Sequence, residues 1–482
     1  MFNYSSYLKL PFLIAALLVL PISSPAQNSL SALQVEQPEA WDEELRMAQP
    51  EDINPSPDIL EFNLEARITD IEIEEGFTTP VWTYNGVLPG PMIKAKIGDT
   101  VIVHFKNSLP EATSIHWHGL RVPNSMDGVP GMTQDPVPPG GEFRYEFVVN
   151  DAGTYWYHPH VNSTNQVGWG LYGAFVVEDP ADPEAFGDEL VLLISDISID
   201  NEGAFLPENN GGGFSKLFGR EGRVLLVNGK VFPRLKVRKG KQQRWRVINA
   251  NRSRYVRLSL RDHYLTRLGG DNGLAAHSEV VPRITITPGE RTDFVFTPNN
   301  EPGTERIMRW GAVDRGFGTT EFRPPVNMLL IETVDEEPVT PAEIPYELRT
   351  IEAIDTSNAI EKSLEMTIKL GGEDEVEMGF NGIPYWNMTP LEARVGETHV
   401  WTVSNHSEFN HPFHLHGYFF QVLDEDRIPE WKDTVDIPVG AELKLAIKFE
   451  GRPGMWMYHC HILDHADVGM MGMLNVLGSL EK

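Results

Sequence analysis

The chain has 482 residues, 41% hydrophobic and 23% charged, a globular composition with room for about two to four domains. A formal net charge of −29 at pH 7 argues against nucleic acid and anionic membrane surfaces as partners, and favours cations or neutral organic molecules. A single cysteine excludes an internal disulfide, and 42 Gly with 36 Pro fit a loop-rich, mostly β architecture.

In chain order, residues 1–26 read as a signal peptide. Lys9 gives a weakly positive start, Leu10 to Ile22 is an apolar run short for a membrane span, and Ser24-Pro25-Ala26 offers a cleavage site before Gln27. The expectation is export to the periplasm or the extracellular space, with no membrane segment in the mature form; an uncleaved anchor is the alternative. Residues 27–57 form an acidic, Pro-rich arm that either wraps the surface or stays partly disordered. From Leu60 onward, short runs of Val, Ile, Thr and aromatics alternate with polar residues between Gly and Pro, the pattern of sandwiched strands. Asp- and Pro-rich stretches near 179–186 and 335–345 read as linkers, giving three blocks: 58–182, 183–338 and 339–482.

The blocks are related. TYNGVLPGPMIKAKIGDTVIVHFKNSLP in the first matches FNGIPYWNMTPLEARVGETHVWTVSNHS in the third, and the second carries LVNGKVFPRLKVRKGKQQRWRVINAN. Three tandem β-sandwiches, and an all-β chain, are the economical inference.

The chemistry concentrates in GMWMYHCHILDHADVGMMGM, residues 454–473. Cys460, His465 and Met470 supply a thiolate, an imidazole and a thioether, a set that suits a trigonal copper with a weak axial sulfur once one more histidine joins. On an extended strand His459 and His461 point away from the face that carries Cys460, so one tripeptide serves two metal sites. Three further pairs, His116/His118, His158/His160 and His414/His416, each present both imidazoles to one side of a strand. Eight imidazoles from the two ends of the chain exceed the needs of any single metal. Aligning GTYWYHPHVNSTNQVGW with GMWMYHCHILDHADVGM, and IHWHG with FHLHG, superposes the paired histidines. Where the third block has His411, Cys460, His465 and Met470, the first has Thr113, Pro159, Thr164 and Trp169. The thiolate site therefore occurs once, and the middle block, which has no such pair, spaces or braces the other two.

With the motifs HWHG, HPH, HPFHLHG and HCHILDHADVGM, the chain resembles the three-domain bacterial laccase-like multicopper oxidases. The resemblance implies three tandem cupredoxin-like Greek-key β-sandwich domains and four copper ions. By it, a type 1 copper is held by His411, Cys460, His465 and axial Met470, and a type 2 copper by His116 and His414. His118, His158, His160, His416, His459 and His461 hold a type 3 pair. It further implies single-electron donors at the type 1 site, through the exposed edge of a coordinating histidine, transfer through Cys460 into His459 and His461, and reduction of O2 to water. Asp127 matches a family acid and is expected to donate protons. Several relatives carry an acid where this chain has Ala466, leaving open whether Asp464 or Asp467 substitutes. Asp433 reads as a structural hydrogen-bonder, and Met471 and Met473 as core fillers. His104, His263, His277, His399 and His406 fall outside the motifs. Phenols or aromatic amines are the expected donors to a monomeric enzyme. The alternatives are a metallo-oxidase for Cu(I), Mn(II) or Fe(II) in metal tolerance, and a copper-free exported scaffold on the same fold.

Overall fold

The computed structural model describes residues 45–479 apart from 75, 201–215, 317–323, 371–375 and 425. The expected signal peptide and the first part of the arm lie outside the described residues. From Leu45 the arm is packed down. Leu45 enters the core of the middle block and Met47 a cluster shared by the first and middle blocks. Asn228 Nδ2 donates to the Leu45 carbonyl at 2.6 Å, and Met92 N–H to that of Ala48 at 2.7 Å.

The described residues form six sheets, two in each block. Strand Thr100–Asn107 shows why: Val101, Val103 and Phe105 alternate inward at 1% exposure or less, while His104 and Lys106 point outward. Each buried side chain contributes roughly 1.5–3 kcal/mol. In every block the opening strand runs parallel to a later one, with Ile59 opposite Thr100, Asp188 opposite Gln243 and Ile360 opposite His399. That later strand pairs antiparallel with another, Val101 facing Phe147, Arg244 facing Val295 and Val400 facing Ala446. Mixed pairing of this kind needs chain crossovers between the two sheets of a sandwich, as in Greek keys.

The repeat is written into two asparagines per block. Asn85, Asn228 and Asn381 sit at φ of 54°, 50° and 53°, each followed by a glycine with φ of 75–78°. Two successive positive φ values demand an Asn-Gly turn. Each Asn Oδ1 accepts the N–H of a strand residue, Glu65, Leu193 or Glu365, at 2.7–2.8 Å. At the far strand ends Asn107, Asn249 and Asn405 donate through Nδ2 to carbonyls across the next loop. Among the described residues no helix is long and apolar enough to cross a membrane.

A buried ion-pair cluster of the middle block is hydrogen-bonded to the first through Thr154. Asp293 accepts from Thr154 Oγ1 at 2.7 Å, from Arg244 Nη2 at 2.7 Å and from Arg246 Nη1 at 2.9 Å.

Candidate metal centre

The histidine pairs stand on matching strands. In the first sandwich His116 is opposite His158; in the third His414 is opposite His459 and Phe413 is opposite Cys460. The pleat sends Trp117 and Tyr157 into the first core, and Phe413, Tyr458 and Cys460 into the third. The histidines between them take the other faces, where the two sandwiches meet.

There the chain gathers three groups whose ligand atoms lie within 4.8 Å of one another: His116, His118 and His414; His118, His158 and His461; His160, His416 and His459. Every group draws on both sandwiches. His116 stacks on His416 and His118 on His414, each with ring centroids 3.9 Å apart. The outer nitrogens are spoken for by acceptors. His116 Nδ1 donates to the Asp127 carbonyl at 2.8 Å, His158 Nδ1 to Pro159 at 3.0 Å, His414 Nδ1 to Asp433 at 2.9 Å and His459 Nδ1 to Cys460 at 2.9 Å. The inner nitrogens of His116, His158 and His414 (all Nε2), His118 Nδ1 and both nitrogens of His461 are buried without any hydrogen-bond partner. Buried polar atoms left bare together are an unfinished coordination shell. Burial, aided by neighbouring imidazoles, favours the neutral form of His118, His158, His160, His414, His416, His459 and His461. His416 falls to about 3, and His118, His158, His160, His459 and His461 lie well below their usual range. Neutral imidazole is the form that binds metal.

Two carboxylates steady this assembly. Asp127, fully buried, accepts from His416 Nδ1 at 2.8 Å and lies 3.3 Å from His116 Nδ1. Burial alone would raise its carboxyl, but His416 and His116 hold it well below the usual carboxylate range. Asp433 approaches His118 Nε2 at 3.2 Å and His414 Nδ1 at 3.4 Å. It is gripped by Arg291 through Nη1 at 2.8 Å and Nη2 at 2.6 Å. Arg291 also donates to the carbonyls of Thr154 and Asp271, so one fully buried guanidinium ties all three blocks together. Gly289, at φ +83°, brings the same middle-block turn against His461; a Cβ there would meet the ring at 2.6 Å. The spacing block thus forms part of the wall.

The fourth group is His411, Cys460 and His465. Cys460 Sγ lies 3.5 Å from His411 Nδ1 and 3.7 Å from His465 Nδ1, which are 3.1 Å apart. Burial pushes the thiol up, lowers His411 to about 3 and holds His465 well below its usual range. Met470 is buried in the same apolar cluster, and its carbonyl accepts the Cys460 N–H at 3.0 Å. Two imidazoles, a thiol and a thioether at one buried point fit copper. In the first sandwich the matching place is filled: Thr113 Oγ1 donates to Gln166 Oε1 at 2.7 Å, and Thr164 is buried beside them.

Two expectations change, and the question left open over Asp464 and Asp467 narrows. Neither histidine of the Cys460 group shows an exposed edge: both are 0% exposed, with His411 Nε2 bonded to Ser407 Oγ at 2.7 Å and His465 Nε2 to the Leu217 carbonyl at 3.0 Å. Met471 and Met473 do not fill the core, because the pleat turns them to the opposite face of their strand, half-buried. Asp464 is clasped by Arg220, which donates to it from N at 2.7 Å and from Nε at 2.8 Å. Asp467 is exposed and caps the Thr164 N–H at 3.1 Å. Neither carboxylate belongs to a histidine group.

The remaining histidines also stand apart from these groups. His104 pairs with Glu61, His399 with Glu397, His263 with the Arg261 carbonyl, His277 stacks on Tyr346, and His406 is exposed. Sequence reasoning missed Arg291, Gly289, Leu217 and Ser407. The first three come from a block without a histidine pair, and nothing local marks them.

Sequence profiles of the multicopper oxidase family match residues 65–182, 192–309 and 359–478. The chain is 30% identical over 433 residues to the multicopper oxidase MmcO of Mycobacterium tuberculosis, covering 82% of this chain and 83% of that one. It is 27% identical over 469 residues to a laccase of Bacillus subtilis, covering 83% and 90%. Among solved structures it resembles a multicopper oxidase of Campylobacter jejuni described as a metallo-oxidase, with TM-score 0.80, 29% identity and coverage of 90% and 94%. A laccase from Pediococcus acidilactici superposes with TM-score 0.78 at 28% identity, covering 90% and 94%. With three matched segments, six cupredoxin sheets and clustered histidine and cysteine donors, the chain belongs to the multicopper oxidase family, copper-dependent oxidoreductases that draw electrons from a reducing substrate and pass them to O2.

Proposed function

We propose that this chain is a laccase-like oxidase that takes single electrons from phenols or aromatic amines and holds four copper ions. His411, Cys460, His465 and Met470 would hold the type 1 ion, and His116 and His414 the type 2 ion. His118, His158 and His461 would hold one member of the type 3 pair, and His160, His416 and His459 the other. The observation that carries this reading is the coincidence of four donor groups with a set of buried, unpartnered imidazole nitrogens. Bound copper supplies one-electron acceptance at the thiolate site and four-electron reduction of O2 to water at the histidine cluster.

The chain's own residues do the rest. Cys460 ends strand Gly454–Cys460 and lies between His459 and His461 in sequence, so a covalent path of a few bonds joins the two regions. Asp127 accepts from His416 and, through its carbonyl, from His116, which fixes their tautomers and turns Nε2 inward. An ionised Asp127 stores no proton; it acts as a relay that must first take one up, which suits a reaction consuming four protons. Burial of the His411 and His465 edges excludes direct ligation of an incoming metal ion by either ring. A donor therefore passes its electron across the Leu217–Phe218 cover, where Phe218 and Phe409 pack edge-to-face at 5.3 Å. That cover favours aromatic donors. The metallo-oxidase reading stands second, since the Campylobacter relative bears that description and the chain's acidity suits cations. Export, with residues 1–26 removed, and action as a monomer belong to the same proposal.

The deciding experiment compares kcat/KM for a phenol, an aromatic amine, Cu(I) and Mn(II). The account expects the organic donors to lead by about tenfold or more, about 1.4 kcal/mol. Faster oxidation of either metal ion would overturn it.

A further inference from the structure

The chain has 15 methionines, and its sequence groups only Met470, Met471 and Met473. Folding adds two more. Strand Gly454–Cys460 pairs antiparallel with Met471–Leu477, placing Met457 directly opposite Met473 and His459 directly opposite Met471. Trp456, Tyr458 and Cys460, with Leu474 and Val476 across from them, face the core of the third sandwich. Met455, Met457, His459, Met471 and Met473 therefore share the other face. Each strand presents an M-x-M pair to that side. Directly opposed residues have Cβ atoms about 5 Å apart, and diagonal neighbours remain within reach of long side chains.

These methionines belong to none of the buried apolar clusters. Met457 is 3% exposed, and Met455, Met471 and Met473 are half-buried. The first sandwich leans over the end of the ladder, where Asn124 Nδ2 donates to the Met455 carbonyl. On the other side, the ladder abuts the cluster histidines: His416 N–H donates to the Met457 carbonyl at 3.0 Å, and His459 is paired with His414. Packing alone does not call for four flexible thioethers at a half-open seam. Thioethers select soft, singly charged ions such as Cu(I), whereas imidazoles accept copper in either state.

We infer that Met457, Met471 and Met473 form a Cu(I)-binding site that loads copper into the neighbouring histidine cluster. The ion moves from thioether to imidazole, beginning at His459, as Cu(I) throughout, so no electron is transferred and no co-reactant is needed. The site itself stands on the register of two strands; its role in loading rests on the ligand assignment proposed above.

The test uses the metal-free full-length chain and its Met457→Leu/Met471→Leu/Met473→Leu variant, Leu being close to Met in volume and apolar. Under anaerobic conditions each is titrated with Ag(I), a soft ion without redox chemistry here, and with Cu(I) in competition with bicinchoninate. The variant is expected to bind one Ag(I) fewer. Refilling from Cu(I) is expected to slow about tenfold, while refilling from Cu(II) stays unchanged. Met473→Leu alone, at a half-exposed position, is expected to weaken Ag(I) binding in the same direction and covers the case of a misfolded triple variant. Equal Ag(I) counts, or slowing of Cu(I) and Cu(II) refilling alike, would overturn the inference. Fewer than four coppers in the loaded native chain would instead sink the ligand assignment and leave the Ag(I) difference standing.

Discussion

The first and third sandwiches are two drafts of one design, and the difference between them lies in a handful of side chains. Both keep the Asn-Gly turn, the strand-end asparagine and the facing histidine strands. In the third, His411, Cys460 and His465 converge beneath the sheet; in the first, Thr113 and Gln166 close the same space with a hydrogen bond. A repeated fold thus supplies a shared wall of imidazoles twice, and a thiolate site once. The two metal regions also differ in their support. Around the cluster the outer nitrogens reach carboxylates and carbonyls, Asp127 and Asp433 among them. Around Cys460 they reach a hydroxyl and a carbonyl, Ser407 and Leu217. The cluster is steadied by charge, and the thiolate site by neutral partners in an apolar setting.

That contrast can be broken most severely at Arg291. Arg291→Gln removes the cation that grips Asp433, and loss of such outer-shell support typically costs 10–100-fold. Turnover is expected to fall by about 100-fold with loss of copper from the cluster, while the blue absorption from the Cys460 site persists; Arg291→Lys should recover part of both. Loss of the blue band together with cluster copper would make Arg291 merely structural.

Asp127→Asn comes next. It keeps the shape but weakens the acceptor for His416, and should slow O2 consumption about tenfold or more. Stopped-flow bleaching of the blue band by a phenol should be unchanged; slowing there alone would refute the assignment.

The metal-free chain sharpens the comparison by pH. The imidazoles have folded values far below the ordinary 6.5, about 3 for His411 and His416, chiefly through burial. As pH falls towards and below about 6.5 the unfolded chain takes protons first, so stability is full well above 6.5 and drops towards pH 3. Each such histidine contributes up to about 1.4 kcal/mol per pH unit inside that window. Urea midpoints at pH 9, 8 and 5 should be nearly flat between the first two and lower at the third; an equal midpoint at pH 5 would show that the imidazoles are not held neutral. The smallest effect is expected from Ser407→Ala, which strips the neutral partner from His411 Nε2. About 1 kcal/mol of copper affinity at the thiolate site should be lost, read as weaker retention of the blue band against a chelator, with the cluster untouched.

Much of this was legible in the sequence because strands alternate: a histidine two residues from another, or flanking a cysteine, declares which face it takes. The internal repeat likewise exposed Thr113 as the stand-in for His411. What stayed hidden depends on contacts between distant segments. Arg291 sits 142 residues from Asp433, and Leu217 caps His465 through its main chain, where side-chain identity gives no signal. The methionine ladder was hidden for the same reason. Met457 and Met473 are neighbours only once two strands are in register.

The central claim is that one chain holds a thiolate copper and a separate histidine cluster. Native mass spectrometry of the loaded wild type and of Cys460→Ser, read beside visible absorption, tests it most directly. The account predicts the mass of four copper ions with a strong blue band for the wild type, and of three with no blue band for the variant. A single copper in the wild type, or a blue Cys460→Ser chain, would contradict it.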